Sequence, residues 1–461
     1  MSILIERSSS LLSNSARNGQ GNPRPTADSL PGHQPRPDPF LDLKAQVHQK
    51  LIQELDVSRL TGHDPEAVRS LVEEAAQELL VAVGVPLTRE DRMRLRRELA
   101  DEVLGLGPIQ PLIDDPSVSE IMVNAPDKVY FEREGIIYPS DRRFRDGDHI
   151  MQVIEKIVAP LNRRVDEASP MVDARLADGS RVNAIIPPLA IDSPLLTIRK
   201  FAKDPYQVAD LIRFQTLTEE MAQLFKACIE MRLNIVVSGG TGTGKTTLLN
   251  VLSSFIPSTE RIVTIEDPAE LQLRQRHVLR LETRPPNIEG SGAVTQRDLV
   301  RNALRMRPDR IIVGEVRAGE AFDMLQAMNT GHDGSLTTVH ANSPRDALFR
   351  IENMVLMAGL ELPAKAIREQ VASAIDLIIH LSRMRDGTRR VTHVSEIVGM
   401  ESQTVTMQDI FLFRAEGVDA AGRVLGEMLP TGLRPRFSQR AEELGIDLPG
   451  RLFEQERATW T

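Results

Sequence analysis

Cysteine is almost absent: Cys228 is the single one among 461 residues. One thiol cannot close an intrachain disulfide or fill a multi-cysteine metal site, and its rarity suits a reducing compartment such as the cytosol. Long apolar runs are missing as well. No stretch approaches the roughly 18 apolar residues of a membrane-spanning helix, so any membrane association is expected to run through a partner. The opening residues, "MSILIERSSS", are too weakly apolar to read as a secretory leader. Aromatics make up only 4% of the chain and its formal net charge is −9. A chain short of excess cations and of stacking rings lacks what general nucleic-acid binders use, so no nucleic-acid partner is expected. The remaining composition, 41% apolar and 26% charged, is that of a globular protein long enough for two or three domains.

Residues 1–40, rich in Ser, Asn, Gly and Pro, offer too little apolar surface to offset the entropy of ordering and read as a disordered tail. A small helical bundle is expected over 41–104. Leu43, Val47, Leu51 and Leu55 recur at i+4 spacing. Asp64-Pro65 reads as an N-cap and first-turn proline, with Val68, Leu71, Val72, Ala75 and Leu79 inward, and Thr88 caps a third helix lined by Leu95, Leu99 and Val103. Over 105–203, short β-like runs ("EIMVN", "KVYFER", "RVNAII", "LLTIRK") and one helix near 147–160 predict an α+β domain. A polar linker, 204–212, leads to the largest domain, 213–461. There "LNIVVS", "RIVTIE", "RIIVGE" and "SLTTVH" alternate with helical runs, the pattern of a mostly parallel sheet flanked by helices.

The strongest chemical signal is "GGTGTGKTT": Gly239, Gly240, Thr241, Gly242, Thr243, Gly244, Lys245, Thr246 and Thr247. A β-run precedes it and a helical run follows, as a phosphate-binding loop requires. Glycines let backbone N–H groups close round phosphate oxygens, and the helix N-terminus favours the anion. Lys245 would face the β/γ-phosphates and Thr246 would hold Mg²⁺, so the expected ligands are ATP and Mg²⁺. About twenty residues on, Glu266 and Asp267 end a strand-like run, with Glu270 one turn later. Carboxylates there can orient water or hold Mg²⁺ through water, Asp267 being the metal candidate. An acidic cap before Pro268 is the plainer account.

In "RPDRIIVGEVRAGEA" many phosphate-loop enzymes carry an Asp at the end of the strand; here that position is Gly314. Glu315 remains to polarise water. His332 and His340 flank "DGSLTTV" and read as phosphate sensors, although a lone histidine is more often structural. Arg175, Arg181 and Arg199 stand on strand-like runs of the α+β domain, where they are either surface cations or charge donors to a nucleotide.

Together, "GGTGTGKTT", "TIEDPAEL", "TRPPNIEGSGAVTQRDLVRNALRMRPDRIIVGEVRAGEA" and "AMNTGHDGSLTTVHANSPRDALFRIENMV" resemble the secretion-ATPase superfamily. More closely, they resemble the tight-adherence (Tad) pilus motors of the CpaF type, a resemblance extending upstream through "LGLGPIQPLIDDPSVSEIMVN" and "DGSRVNAIIPPLA". It implies a fold of α/β class: a RecA-like P-loop ATPase domain preceded by a PAS-like α+β domain and the helical bundle. It further implies a cytoplasmic homohexamer, peripheral at the inner membrane through integral pilus platform proteins. Its ATP sites would lie between the two larger domains and drive pilus assembly or retraction. By the same resemblance Glu266, Asp267 and Glu270 form the Asp box, Glu315 the Walker B glutamate and His332 and His340 the His box. Arg181 and Arg199, less surely Arg175, reach nucleotide. Gly314 then becomes the family's habit, and Ala318, where glycine is more usual, touches nothing catalytic. A conjugation-type (type IV) secretion ATPase moving protein or DNA shares every box and is the alternative. A helicase fits poorly with the acidity and with Gly314, and a non-hydrolysing scaffold fits poorly with Lys245 and Glu315.

Overall fold

The computed structural model describes residues 40–54, 64–133, 135–161, 163–201, 205–286 and 290–454. Leu55, most of the expected tail, the start of the linker and the last seven residues lie outside them. The described chain divides into two units, the first ending at Pro108 and the second running from Ile109.

The first unit is built on local signals. Leu41–Glu54 forms α1, Pro65–Ala82 forms α2 and Arg89–Leu104 forms α3. Asp64 accepts the N–H of Ala67 and Thr88 accepts that of Asp91, each satisfying a helix-end donor that would otherwise lose its partner. Val47, Leu51, Val72, Ala76, Leu80, Leu95 and Leu99 meet in one apolar core. The stripe on α2 sits slightly differently from expectation. Leu71 is 45% exposed, while Ala76 and Leu80 are buried, because the three-helix contact selects the 72–76–79–80 face. Asp101, buried at 6% exposure, accepts from Arg69 Nη2 at 2.8 Å, so its charge is answered inside the bundle.

The second unit holds two sheets. After α4 (Gln110–Asp114) come β1 (Val118–Ala125), β2 (Lys128–Arg133), β3 (Ile136–Pro139), α5 (Gly147–Val158), β4 (Met171–Arg175), β5 (Arg181–Ile185) and β6 (Leu195–Arg199). They make an antiparallel six-stranded sheet in the order β3-β2-β1-β6-β5-β4. Then follow α6 (Val208–Arg213), α7 (Glu219–Glu230), β7 (Ile235–Gly239), α8 (Lys245–Ser253), β8 (Ile262–Glu266), β9 (Val278–Glu282), α9 (Gln296–Ala303) and β10 (Arg310–Val313). The chain ends through α10 (Glu320–Asn329), β11 (Leu336–His340), α11 (Pro344–Met357), α12 (Ala364–Ala374), β12 (Leu377–Arg383), β13 (Arg389–Glu401), β14 (Thr404–Val418), β15 (Val424–Pro430) and α13 (Ser438–Leu444).

The larger sheet has nine strands in the order β15-β14-β13-β12-β7-β11-β10-β8-β9. From β12 to β9 every pairing is parallel, and the run β12-β7-β11-β10-β8 is the RecA-like order. Helices cover both faces. Leu211, Phe225, Leu248 and Phe437 fill one core, and Val300, Leu325, Ile351 and Val371 the other. Burial on both faces explains why these strands read as continuous Val/Ile runs.

Two details add to the expectations. The polar linker at 204–212 contains most of a short helix, α6, since Val208, Leu211 and Ile212 fall at helical spacing and pack on the first of those cores. The sheet is mostly parallel, as expected, and β13, β14 and β15 extend it beyond β12 as an antiparallel meander. Leu99→Ala should remove a methylene-rich plug from the bundle at a cost of about 2–5 kcal/mol. Hydrogen exchange of α2 and α3 amides is expected to accelerate while β7 and β11 keep their protection; unchanged exchange in α2 and α3 would mean the bundle does not depend on that packing.

Candidate functional site

Parallel strands deliver their C-terminal ends to one edge, and loops from that edge build the site. β7 ends at Gly239, and α8 begins at Lys245 with Gly244 before it at φ +94, a left-handed conformation that glycine adopts at no steric cost. The loop closes on itself: the Gly240 carbonyl accepts the Thr243 hydroxyl at 2.9 Å and Lys245 Nζ at 2.8 Å. No side chain caps α8. Lys245 is only 7% exposed, and burial lowers its pKa against the opposing pull of Glu315. A buried ammonium beside uncapped helix N–H groups fits a phosphate. Thr246 and Thr247 sit half-buried in the first turn of the same helix.

β11 runs beside β7 with His340 opposite Gly239. The His340 ring nitrogens lie 3.4 and 3.5 Å from Lys245 Nζ. Its Nε2 is 2.9 Å from Glu315 Oε1. Burial, then the Lys245 charge, lowers the His340 pKa, so a neutral ring donates from Nε2. The other Glu315 oxygen accepts from Arg317 Nη2 at 2.8 Å. Lys245, His340, Glu315 and Arg317 thus form one chain of polar contacts, with the neutral His340 ring between the ammonium and the carboxylate. Sequence reasoning named the first three and missed Arg317, whose signal was its place two residues after Glu315.

Glu266 ends β8 next to β10, where Ile265 pairs with Val313. A Cβ on Gly314 would stand 2.9 Å from Glu266 Cγ, so the glutamate occupies the ground a side chain at 314 would need. Its Oε2 accepts the N–H groups of Glu270 at 2.6 Å and Leu271 at 2.7 Å. Its Oε1 is buried with no partner among the described residues. Burial pushes its pKa up to about 7 despite those two hydrogen bonds. Glu270 accepts from Arg181 Nη1 at 2.9 Å.

Arg175, Arg181 and Arg199 pair in register across β4, β5 and β6 and share one face of the smaller sheet. Arg175 reaches Glu282 at 2.8 Å and also the Ala269 carbonyl, while Arg199 is exposed opposite Glu120. Arg175 and Arg181 therefore meet the 266–282 segment, while Arg199 makes no hydrogen bond or ion pair to it among the described residues. Two candidates have their hydrogen-bond partners outside the loop. Asp267 is exposed and accepts the Thr283 hydroxyl at 2.6 Å, on the β9 side. His332 precedes β11, at the far end of a strand about 13 Å long, and its carbonyl holds Ser335 Oγ at 2.9 Å.

A family model for Type II/IV secretion system protein matches residues 102–427, and one for the N-terminal domain of Type II secretion system protein E matches 40–104. A putative conjugal transfer protein of Mycobacterium tuberculosis is 37% identical over 319 residues, covering 68% of this chain and 90% of its own. The type IV secretion system protein VirB11 of Brucella suis is 31% identical over 322 residues, covering 63% and 88%. The crystal structure of the Brucella suis VirB11 ATPase with sulphate aligns at a TM-score of 0.34 and 28% identity, over 62% of this chain and 94% of that one.

The raised pKa of Glu266 stabilises the fold in its protonated form. That contribution is complete below the ordinary carboxylate pKa near 4.5 and is lost as pH rises through about 7. Glu266→Gln removes the titration. Its melting temperature, relative to wild type, should therefore gain between about pH 5 and about pH 8. A difference independent of pH would show that Glu266 does not titrate in this window.

Proposed function

The chain belongs to the type II/IV secretion system protein family, the P-loop secretion ATPases, and we propose that it is the hexameric motor of a conjugation-type (type IV) secretion machine moving protein or DNA. The observation that carries the chemistry is the buried Lys245 ammonium at the uncapped start of α8, joined through His340 to Glu315. In this reading the ATP phosphates lie along 239–247, held by loop N–H groups and Lys245. Mg²⁺, when bound, neutralises phosphate charge, with Thr246 its protein ligand; Asp267 acts through water at most. Glu315 orients the attacking water once His340 or Arg317 releases one of its oxygens. Glu266 and Glu270 frame the site, and Arg181 and Arg199 supply cations against the charge that develops on the phosphates. His332 has no part at its own chain's loop.

The names of the relatives support conjugal transfer and type IV secretion over the Tad pilus motor that the motifs alone favour. The pilus motor stays as the second reading on its motifs; the match of residues 40–104 to the N-terminal domain of Type II secretion system protein E favours neither machine. No helix among the described residues is long and apolar enough to cross a membrane; in either reading other proteins recruit the chain to the machine.

Purified protein should hydrolyse ATP slowly with Mg²⁺. Lys245→Ala should abolish nucleotide binding, while Glu315→Gln should keep binding and lose about a hundredfold or more in turnover. Wild-type turnover in Glu315→Gln would move the base to Glu266 or Glu270. The two machines separate in a second assay. A severalfold stimulation of ATPase by single-stranded DNA, steeply weakened by salt, supports a DNA-moving machine. Indifference to DNA together with membrane recruitment only alongside co-expressed pilus platform proteins supports the pilus motor.

A further inference from the structure

The phosphate loop is held from a side that its own motif does not reveal. Three contacts come from the hairpin of β12 and β13. Ser238, just before the loop, hydrogen-bonds through Oγ to Nδ1 of the buried His380 at 2.8 Å. At Gly239 an added Cβ would stand 2.6 Å from the Leu381 carbonyl oxygen, so the two backbones are packed directly. At Gly242, in mid-loop, the carbonyl accepts Arg389 Nε at 2.8 Å across 147 residues of chain. Arg389 Cδ also lies 3.6 Å from where a Cβ on Gly244 would stand.

A loop that cradles an anion turns its N–H groups inward, and the carbonyls of the same peptide units must then turn outward. An outward carbonyl is a handle by which the inward donors can be aimed. The Gly240 carbonyl is already taken within the motif, by the Thr243 hydroxyl and Lys245 Nζ, whereas the Gly242 carbonyl is held from outside it. We propose that Arg389 is a positioning residue for the phosphate loop, holding the Gly242 carbonyl outward so that the loop N–H groups are aimed before nucleotide arrives.

The arginine is itself firmly based. It opens β13 opposite Arg383, and the turn between them is pinned by Asp386. That carboxylate accepts the Thr388 hydroxyl at 2.6 Å and the Val424 N–H, at the start of β15, at 2.7 Å. Arg390 reaches the Val424 carbonyl at 3.3 Å. The antiparallel meander, which the loop motif does not require, is thereby tied to the loop through one guanidinium.

The proposal rests on the reading of 239–247 as the ATP phosphate site, and its test separates the two. Titration of the full chain with a fluorescent (mant) ADP should give an affinity about fivefold weaker in Arg389→Ala, ~1 kcal/mol for one lost hydrogen bond. Turnover at saturating ATP should stay within about twofold of wild type, because the arginine acts on binding geometry and not on the reacting atoms. Arg389→Lys should recover part of the affinity. Arg385→Ala, an exposed arginine of the same turn, should bind as wild type does. If alanine lowers the melting temperature, Arg389→Gln carries the test with the same expected loss. Wild-type affinity in Arg389→Ala, beside abolished binding in Lys245→Ala, would overturn the positioning role and leave the ATP site intact. So would a fall in turnover with affinity unchanged. Failure of the wild-type chain to bind nucleotide would instead remove the ATP reading on which the proposal stands.

Discussion

A cation that is kept out of water must be answered by its surroundings, and Lys245 is such a cation. Its ammonium leans on the Gly240 carbonyl and faces the His340 ring, which in turn holds Glu315, which holds Arg317. Every group in this series is placed by the C-terminal end of a parallel strand, so the order of strands in the sheet is what brings them together. Within the chain these groups answer one another. A polyphosphate would bring several negative charges to Lys245 and compete with Gly240 for its protons. On the proposed reading, that competition releases Glu315 to face water.

The same reasoning gives Gly314 a physical role. In this chain the carboxylate nearest that position comes from the neighbouring strand, as Glu266, and the absence of a side chain at 314 makes room for it. Glu266 is then doubly constrained, buried and holding two N–H groups of the following turn. It keeps Glu270 in place to meet Arg181. The glycine and the glutamate are one structural unit, and neither is intelligible from its own segment alone.

Much of this was legible in the sequence where the signal is local. Asp64 and Thr88 cap helices as their residue types suggest, and the runs ending in Ser238, Glu266, Val313 and His340 are strands buried on both faces. The rest depends on pairing between distant segments, which a linear pattern does not encode. Nothing near Asp267 announces that Thr283 will hold it. His332 reads like His340 until the strand between them sets the two at opposite ends. Arg389 lies in an ordinary "DGTRR" turn, and only the placing of β12 beside β7 brings it to the loop. Helix α6 was hidden differently, since its three apolar residues sit in a stretch whose polar flanks dominate the composition.

The central claim of the proposed reading is that the site is shared: the large sheet would hold the phosphates while arginines of the smaller sheet, of which Arg181 pairs with Glu270 and Arg175 with Glu282, would supply the cations that stabilise the reaction. Steady-state MgATP turnover of Arg181→Ala and Arg199→Ala tests it most directly. The account predicts a loss of at least about tenfold in turnover for Arg181→Ala, with nucleotide still bound by the phosphate loop. Wild-type turnover in both variants would contradict it and reduce these arginines to surface cations.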